Sequence, residues 1–237
     1  MFEDVLCVIP ARAGSKGIPN KNMVCIRGIP LVSYSTRHAL EAEIPAQNII
    51  VSSDGQDILE VARADGVTPY RRPAEYAQDH SSTESVLVNI LEQPEYTHIR
   101  NVLLLQPTSP IRLRNRVKDC LLAYLKGGYD SLLTVTKFPN MFWKQSQKDG
   151  RQWSPTYNPA YRKRKQELAE SDFLYFENGN IYVTATNILW EKGCRVGNKV
   201  CVYPITEVEG MQIDTPTDLR IISKILEGGR QEEDEHL

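Results

Sequence analysis

The sequence of 237 residues has no apolar run approaching the roughly 20 residues that a membrane-spanning helix needs. Its first residues, MFEDVLCV, carry an early acidic pair and no cationic stretch, so we expect no signal peptide. The five cysteines form no C-x-x-C pair, and an odd number without a signal peptide favours a reducing environment. We therefore expect a cytoplasmic protein without a membrane partner, in which Cys7 and Cys120 are buried because they lie in apolar patterns.

The sequence also lacks the overall basic charge of a typical nucleic-acid-binding protein, so we expect no nucleic-acid partner. Its net charge is −2 at pH 7, and its hydrophobic and charged fractions of 41% and 24% are ordinary for a globular protein. The charge is unevenly distributed, because residues 5–40 contain no Asp or Glu but include Arg12, Lys16 and Lys21. A polyanionic ligand would meet little repulsion in this region.

A glycine-containing loop follows the first apolar run of the chain. Residues 5–9 (VLCVI) are typical of a buried strand, and the loop after them contains Gly14, Gly17 and the three cations. Glycines let backbone N–H groups approach phosphates closely, and Lys and Arg neutralise phosphate oxygens. The loop matches neither a Walker A sequence nor G-x-G-x-x-G, and we interpret it as a phosphate-binding loop of another type. The alternative is a surface turn with scattered cations.

Strand patterns alternate with helical patterns over most of the chain. We predict strands at residues 5–9, 49–54, 67–70, 101–106, 131–136, 180–184 and 199–203, and helices at residues 31–43, 57–65, 83–93, 117–126, 186–192 and 216–226. This alternation favours an α/β domain over residues 1–228, with a parallel sheet covered by helices on both faces. Ligands of such folds bind beyond the carboxyl ends of the strands. Residues 229–237 are polar and acidic, and we expect a disordered tail there.

Residues 137–172 interrupt the alternation with an aromatic and cationic segment. The stretch from 137 to 165 has Asp149 as its only acid and ends in the run Arg162-Lys163-Arg164-Lys165. A structureless loop of this length is uncommon inside a compact domain. We interpret the segment as an extended arm that buries its aromatic side chains, with a second subunit as the favoured partner. Single-stranded nucleic acid, a nuclear-import signal and a solvated loop are the alternatives.

A carboxylate precedes the last predicted helix. Thr215 as N-cap, Pro216 at the first helical position and Asp218 three residues after the cap form a good helix start. Asp218 is therefore assigned to capping, whereas Asp214 lies before the cap and can point into a site. A carboxylate at this position is suited to hold a divalent metal against phosphate oxygens.

Several motifs together resemble one enzyme family. IPARAGSKGIPNKN at residues 9–22 is similar to the signature of the CMP-sialic acid synthetases (acylneuraminate cytidylyltransferases) and their legionaminic, pseudaminic and ketodeoxynonulosonic acid relatives. Further matches follow in order: VSSD at 51–54, RPAEYAQDHSS at 72–82, LQPTSPIR at 105–112, NGNIY at 178–182 and IDT at 213–215. The resemblance spans residues 5–226.

The resemblance implies a doubly wound, mostly parallel α/β fold of the nucleotide-diphospho-sugar transferase type and a homodimer. It implies that CTP and a nine-carbon 2-keto acidic sugar give the CMP-sugar and pyrophosphate. Catalysis would rest on Arg12, Lys16, Lys21 and Asp214, with Asp214 holding Mg²⁺ or Mn²⁺. Around the nucleotide the resemblance places Ala11, Arg12, Gly14, Ser15, Lys16, Asn22, Arg72, Ser82 and Thr83. Near the sugar it places Gln106, Thr108, Ser109, Lys165, Asn178 and Tyr182.

The sequence departs from the family pattern in three places. Gln212 stands where many members have a first aspartate before I-D-T, and KQELA at residues 165–169 replaces R-Q-x-L-P. Residues 194–196 contain no aromatic pair, which sialic acid members place near the N-acyl methyl group. The alternatives are therefore a nucleotidyltransferase for an eight-carbon (Kdo-like) keto acid or for another nucleotide, and a nucleotide-binding protein on a degenerate synthetase fold.

Overall fold

The computed structural model describes residues 1–15, 17–146 and 150–234, with side chains described through Gly228. In chain order its strands are β1 (Val5–Pro10), β2 (Cys25–Ile26), β3 (Ile29–Pro30), β4 (Ile49–Ser53), β5 (Thr68–Arg71), β6 (Asn101–Leu105), β7 (Ser131–Pro139), β8 (Trp143–Gln145), β9 (Trp153–Pro155), β10 (Phe173–Ala185) and β11 (Val200–Ile205). The α-helices are α1 (Leu31–Glu41), α2 (Gln56–Ala64), α3 (Thr83–Leu91), α4 (Arg116–Gly127), α5 (Thr186–Lys192) and α6 (Pro216–Asp234).

Seven strands form one mixed sheet, in the order β11-β7-β10-β6-β1-β4-β5. β1 runs parallel to both neighbours, with Val8 opposite Leu104 of β6 and Ile50 of β4. β5 is parallel to β4 and β11 is parallel to β7, whereas β10 runs antiparallel to both β6 and β7. The near-continuous apolar strands are buried because both faces of the sheet are covered. The predicted mostly parallel sheet with helices on both faces is confirmed.

Two apolar clusters fill the layers above and below the sheet. On one face α1, α2 and α4 contribute side chains such as Val32, Ile58 and Leu121. On the other face α3 and α5 contribute Leu87 and Leu189. The buried Cys7 and Cys120 belong to the first cluster, as their apolar surroundings in the sequence predicted. The helices thus fix the strand ends, where the loops after β1, β4 and β6 meet.

The segment predicted as an arm begins where β7 and β10 continue as a two-stranded ribbon. Phe173 pairs with Pro139 and Tyr175 with Lys137, and a separate hairpin of β8 and β9 follows β7. Large aromatic side chains of this region are exposed, with Trp153 at 57% and Phe176 at 62% of their full accessible surface. Lys148 and Asp149 of the aromatic and cationic segment at residues 137–172 lie outside the described residues. A dimerisation function of the arm stays a prediction.

The C-terminal helix α6 spans Pro216–Asp234. Glu, Gln and Arg are strong helix formers, and a helix that has already begun adds such residues at little cost. A disordered tail over residues 229–237 stays a prediction. Residues 235–237 lie outside the described part of the chain. Within the described ranges, no helix combines the length and the apolar character needed to cross a membrane.

Candidate active site

The loop after β1 is fixed by backbone and side-chain contacts at both of its ends. Ala11 N–H donates to the Ser52 carbonyl at 2.9 Å, which continues the pairing of β1 with β4. Asn22, which is buried, donates its side-chain amide to the Arg12 carbonyl at 2.8 Å. Asn20 adopts left-handed backbone angles before the short 3₁₀ turn Lys21–Met23. These contacts hold the Arg12 backbone and the Lys21 turn in one defined arrangement.

Two side chains at the ends of β4 and β5 support this loop. The Asp54 carboxylate accepts a hydrogen bond from Ala13 N–H at 2.8 Å. Arg72 donates to the Ser52 hydroxyl at 3.1 Å and to the Ser52 carbonyl at 2.7 Å. Burial lowers the pKa of Arg72 to about 10, because a guanidinium loses hydration there. Arg72 therefore keeps its positive charge at neutral pH.

The loop after β6 is held by a buried arginine that the sequence motifs contained but assigned no function. Arg112 donates to the carbonyls of Gln106 at 3.2 Å and Asn180 at 3.0 Å, and to the Ser35 hydroxyl at 3.3 Å. These bonds tie β10, α1 and the loop after β6 together. Burial lowers the pKa of Arg112 to about 10, so it too remains charged. Gln106 and Thr108 are thereby fixed at the edge of the sheet.

The end of the chain closes the site from the other side. Lys21 Nζ donates to the Ile213 carbonyl at 2.8 Å and lies 3.4 Å from an Asp214 carboxylate oxygen. Ile213 N–H donates to the Thr108 carbonyl at 2.8 Å. A Cβ at Gly17 would lie 2.5 Å from the Asp214 carbonyl oxygen, so only glycine permits this approach. The segment before α6 therefore bridges the loops after β1 and β6.

The helix start that frees Asp214 is confirmed. Asp218 accepts hydrogen bonds from Thr215 N–H at 2.7 Å and from the Thr215 hydroxyl at 2.8 Å. Asp218 N–H in turn donates to the Thr215 hydroxyl oxygen at 3.2 Å, which completes a capping box. These hydrogen bonds lower the pKa of Asp218. The Asp214 side chain is 67% exposed and pairs with Lys21.

These loops line a cavity of about 280 Å³ at the carboxyl ends of β1, β5 and β6. Nine of the predicted nucleotide and sugar residues or catalytic cations line it: Arg12, Ser15, Lys21, Asn22, Arg72, Ser82, Thr83, Gln106 and Thr108. Ser82 also caps α3, since its hydroxyl accepts the Ser85 N–H at 3.1 Å. The structure thus brings the cationic loop and the loop after β6 to one cleft.

Other predicted nucleotide residues lie beside the cavity or outside the described chain. Ala11 is fully buried at the base of the loop. Gly14 is exposed, and a Cβ there would meet no atom within 4 Å. Asp214 reaches the cavity through its contact with Lys21. Lys16 lies outside the described residues, so its position is not part of the site geometry.

Four of the predicted sugar residues do not line the cavity. Ser109 is fully buried. The Asn178 amide is engaged with Thr134 and Thr136 of β7, both at 2.8 Å. Tyr182 is 5% exposed, and its hydroxyl donates to Glu177 at 2.5 Å. Lys165 is exposed in the arm and lines a separate recess with its basic neighbours.

Several cavity residues were not assigned by sequence reasoning. Tyr76, Gln78, Asp79, Ser81 and Val86 line the cavity on the side of the segment before α3. Asp79 lay inside a recognised motif, but its contact with Arg12, 67 positions earlier, has no local signal.

The Asp214 carboxylate beside Lys21 is a donor of the kind that suits a Mg²⁺ ion bound together with substrate phosphates. Among the described residues no group of three or more His, Cys, Asp or Glu is placed to bind a metal. Mg²⁺, however, is usually held by one or two carboxylates together with substrate phosphates and water. Asp214 supplies one exposed carboxylate. Gln212 donates its amide N–H to the Asn178 carbonyl at 2.6 Å, which leaves its amide oxygen as a neutral donor.

Known proteins share both the sequence and the architecture of this chain. N-acylneuraminate cytidylyltransferase A of Danio rerio is 30% identical over 216 residues, which make up 90% of this chain and 49% of that protein. The N-acylneuraminate cytidylyltransferase of Streptococcus agalactiae is 27% identical over 217 residues, 90% of this chain and 51% of that protein. The structure of a CMP:2-keto-3-deoxy-manno-octonic acid synthetase complexed with CTP superposes with a TM-score of 0.67 at 18% identity, covering 94% of this chain and 98% of that one.

These matches confirm the fold class and the resemblance to the CMP-sialic acid synthetase family that the motifs indicated. This chain spans about half the length of the curated relatives it matches. The sequence model of the family described as Cytidylyltransferase covers residues 6–226, nearly the whole of the regular fold. The chain therefore belongs to the cytidylyltransferase family.

Proposed function

We propose that the chain activates a nine-carbon 2-keto acidic sugar of the sialic acid type, converting CTP and the sugar to a CMP-sugar and pyrophosphate. The supporting observation is the single cavity in which Arg12 and Lys21 lie together with Gln106 and Thr108. Cations on one side suit a triphosphate, and amide and hydroxyl groups on the other side suit a sugar. The names of the related N-acylneuraminate cytidylyltransferases support this choice.

The nucleotide occupies the side of the cavity formed by the loop after β1 in this proposal. Arg12, Lys16 and Lys21 neutralise the triphosphate, and Ser15 with the backbone at Ala11 and Gly14 donates hydrogen bonds to it. Arg72 adds a permanent charge because its pKa of about 10 is well above neutral pH. Asn22, Ser82 and Thr83 contact the nucleoside.

The reaction is an attack of the anomeric hydroxyl of the sugar on the α-phosphorus, with pyrophosphate as the leaving group. Phosphoryl transfer depends on positioning and charge neutralisation more than on a protein nucleophile. Lys21 is held by the Ile213 carbonyl at 2.8 Å, so its ammonium group is oriented before the reaction begins. Asp214 would hold Mg²⁺ or Mn²⁺, which supplies charge neutralisation at the phosphates.

The sugar lies against Gln106 and Thr108 in this proposal. Ser109, Asn178 and Tyr182 are buried, and in this proposal they support the residues that contact the sugar without touching it themselves. Lys165 is exposed on the arm and reaches the sugar carboxylate of a second subunit, which makes the functional unit a homodimer. A cytoplasmic location suits the free cysteines, of which Cys25 and Cys194 are exposed.

The test is a screen of CTP, UTP and GTP against acidic keto sugars with eight and nine carbons, following pyrophosphate release. We expect turnover with CTP and a nine-carbon sugar. Turnover with another nucleotide alone would contradict the proposal. No turnover with any pair, despite CTP binding, would favour a nucleotide-binding protein on this fold.

A second candidate acceptor is an eight-carbon, Kdo-like keto acid. Arg195 lies over the Tyr182 ring at 5.0 Å and pairs with Glu84 at 2.6 Å, in the region where the resemblance led us to look for an aromatic pair. A charged wall next to Tyr182 does not favour an apolar N-acyl methyl group. The same screen separates the two acceptors by their relative kcat/KM.

A further inference from the structure

One carboxylate lies inside the cavity and holds a cation of the proposed triphosphate site. Asp79 and the Arg12 guanidinium are 2.6 Å apart, and both side chains line the cavity. Their side chains are 53% and 31% exposed, respectively, so both remain accessible to a ligand. Asp79 belongs to the segment between the 3₁₀ turn Ala74–Tyr76 and α3, which faces the loop after β1.

The charges around this pair make Asp79 unusual. Among the described residues that line the cavity, Asp79 is the one acid, whereas Arg12, Lys21 and Arg72 are cations. Arg72 is committed to Ser52 by two hydrogen bonds, and Lys21 is held by the Ile213 carbonyl. Arg12 thus differs from these two cations, because its guanidinium pairs with a carboxylate that also lines the cavity.

An arginine that binds a carboxylate cannot offer the same N–H groups to a phosphate. A phosphate oxygen that binds the same terminal nitrogen of Arg12 must displace Asp79, and at any Arg12 N–H it meets the repulsion of the Asp79 charge. The pair is partly exposed, so its strength is modest and the displacement costs little when the ligand has several charged groups. The same competition acts in the opposite direction when pyrophosphate leaves, because Asp79 can replace it on Arg12.

We propose that Asp79 is a product-release residue: it competes with phosphate oxygens for Arg12 and thereby weakens the hold of the cavity on pyrophosphate. This inference rests on the proposed function for its place in the reaction. The competition itself concerns only an anion at Arg12 and can be measured without turnover.

The test measures pyrophosphate binding to Asp79→Asn by titration calorimetry in the presence of Mg²⁺. We expect Asp79→Asn to bind pyrophosphate about three-fold more tightly than the wild type, in line with the loss of a modest ion pair and of its repulsion. The inhibition constant of pyrophosphate in the CTP reaction should fall by a similar factor. Cytidine, which has no phosphate, should bind equally to both proteins.

Three variants separate this competition from a structural effect. Glu75→Gln removes an exposed acid from the same segment outside the cavity lining, and it should leave pyrophosphate binding unchanged. Asp79→Glu retains the charge and should bind like the wild type. In an Arg12→Gln background the gain from Asp79→Asn should be clearly smaller than in the wild type, because no Arg12 guanidinium is left to release and only the loss of repulsion remains.

Equal or weaker pyrophosphate binding by Asp79→Asn, or none by the wild type, would overturn the inference. If Asp79→Asn fails to fold, as judged by its thermal unfolding, Asp79→Ser serves with the same expected gain. If the wild type does not turn over CTP but Asp79→Asn still binds pyrophosphate more tightly than the wild type does, the proposed function alone is rejected.

Discussion

Single polar side chains of this protein are held by partners far away in the sequence. The Lys21 ammonium binds the Ile213 carbonyl, and Arg116 binds Glu209 through two contacts of 2.7 and 3.0 Å. Such pairs form only in the folded chain, and no local pattern in the sequence encodes them. The effect of changing them is therefore a property of the fold, and it can be predicted only from the structure.

Replacing Lys21 with Ala should reduce activity and leave the fold intact. The change removes a cation from the cavity but no apolar packing, so we expect kcat/KM for CTP to fall by about 100-fold or more with little change in Tm. Steady-state kinetics and thermal unfolding measure the two effects. Lys126→Ala, an exposed lysine of α4, is the matched control. Full activity of Lys21→Ala would contradict the assigned catalytic function.

Replacing Glu209 with Gln should destabilise the protein. Glu209 is fully buried and also accepts bonds from Leu113 N–H and from Thr206, so its loss leaves Arg116 without a charge partner. We expect a loss of about 3 kcal/mol in the free energy of unfolding at neutral pH. Urea unfolding at constant pH measures it.

The same pair predicts a pH dependence. Burial raises the pKa of Glu209, but the hydrogen bonds from Arg116, Leu113 and Thr206 outweigh it and hold the pKa below its usual value. A carboxylate with a lowered pKa contributes stability that is present above the unfolded value of about 4.3 and is lost as the pH falls below it. The stability difference between the wild type and Glu209→Gln should therefore shrink below about pH 4. A constant difference down to pH 3 would contradict this.

At the scale of elements, the loop after β1 depends on one close approach. A Cβ at Gly17 would lie 2.5 Å from the carbonyl oxygen of Asp214. The loop after β1 or the segment before α6 would therefore have to shift. We expect Gly17→Ala to weaken CTP binding about ten-fold while Tm changes by only a few degrees, since the loop is at the surface. Gly228→Ala, where a Cβ meets nothing within 4 Å, should bind CTP normally. Calorimetric titration with CTP compares the two.

The bounds of most elements could be predicted from local patterns. The apolar run at residues 101–106 predicted β6 to within one residue, and Thr215, Pro216 and Asp218 predicted the first turn of α6 because capping is a local interaction. β10 was predicted at residues 180–184 but begins at Phe173, because its first half pairs with β7 beyond the sheet. That half has exposed aromatic side chains instead of an alternating pattern, and its pairing depends on tertiary context.

At the scale of the whole molecule, the exposed aromatic surface of the arm predicts self-association. We expect the protein to sediment as a dimer of 26.9 kDa chains. Trp153→Ser should weaken the dimer by more than about ten-fold, because exposed tryptophans are frequent anchors of interfaces. Trp190 on α5 is 49% exposed, close to the 57% of Trp153, and Trp190→Ser should leave the dimer unchanged. Sedimentation over a range of concentrations decides, and a wild type that stays monomeric at all of them would reject the dimer.

The candidate site could be predicted in part, and the reason lies in how its two halves are built. The cationic loop is contiguous, so Arg12, Lys21 and Asn22 were found from one motif, and the cavity contains them. The sugar side is assembled from separate strands. A residue of a recognised motif can there stabilise the sheet instead of contacting a ligand. Asn178 illustrates this, since its amide bonds Thr134 and Thr136 inside the sheet.

The contact between Lys21 and Ile213 also bears on how the protein is made. A ribosome must add 192 further residues after Lys21 before the carbonyl that orients its ammonium group exists. All strands of the sheet precede that point, so a growing chain can assemble its sheet while the loop after β1 still lacks this support. In the proposed function nucleotide binding is therefore acquired last, and we expect a chain that ends after Ile205 to contain the strands of the sheet but to bind CTP weakly.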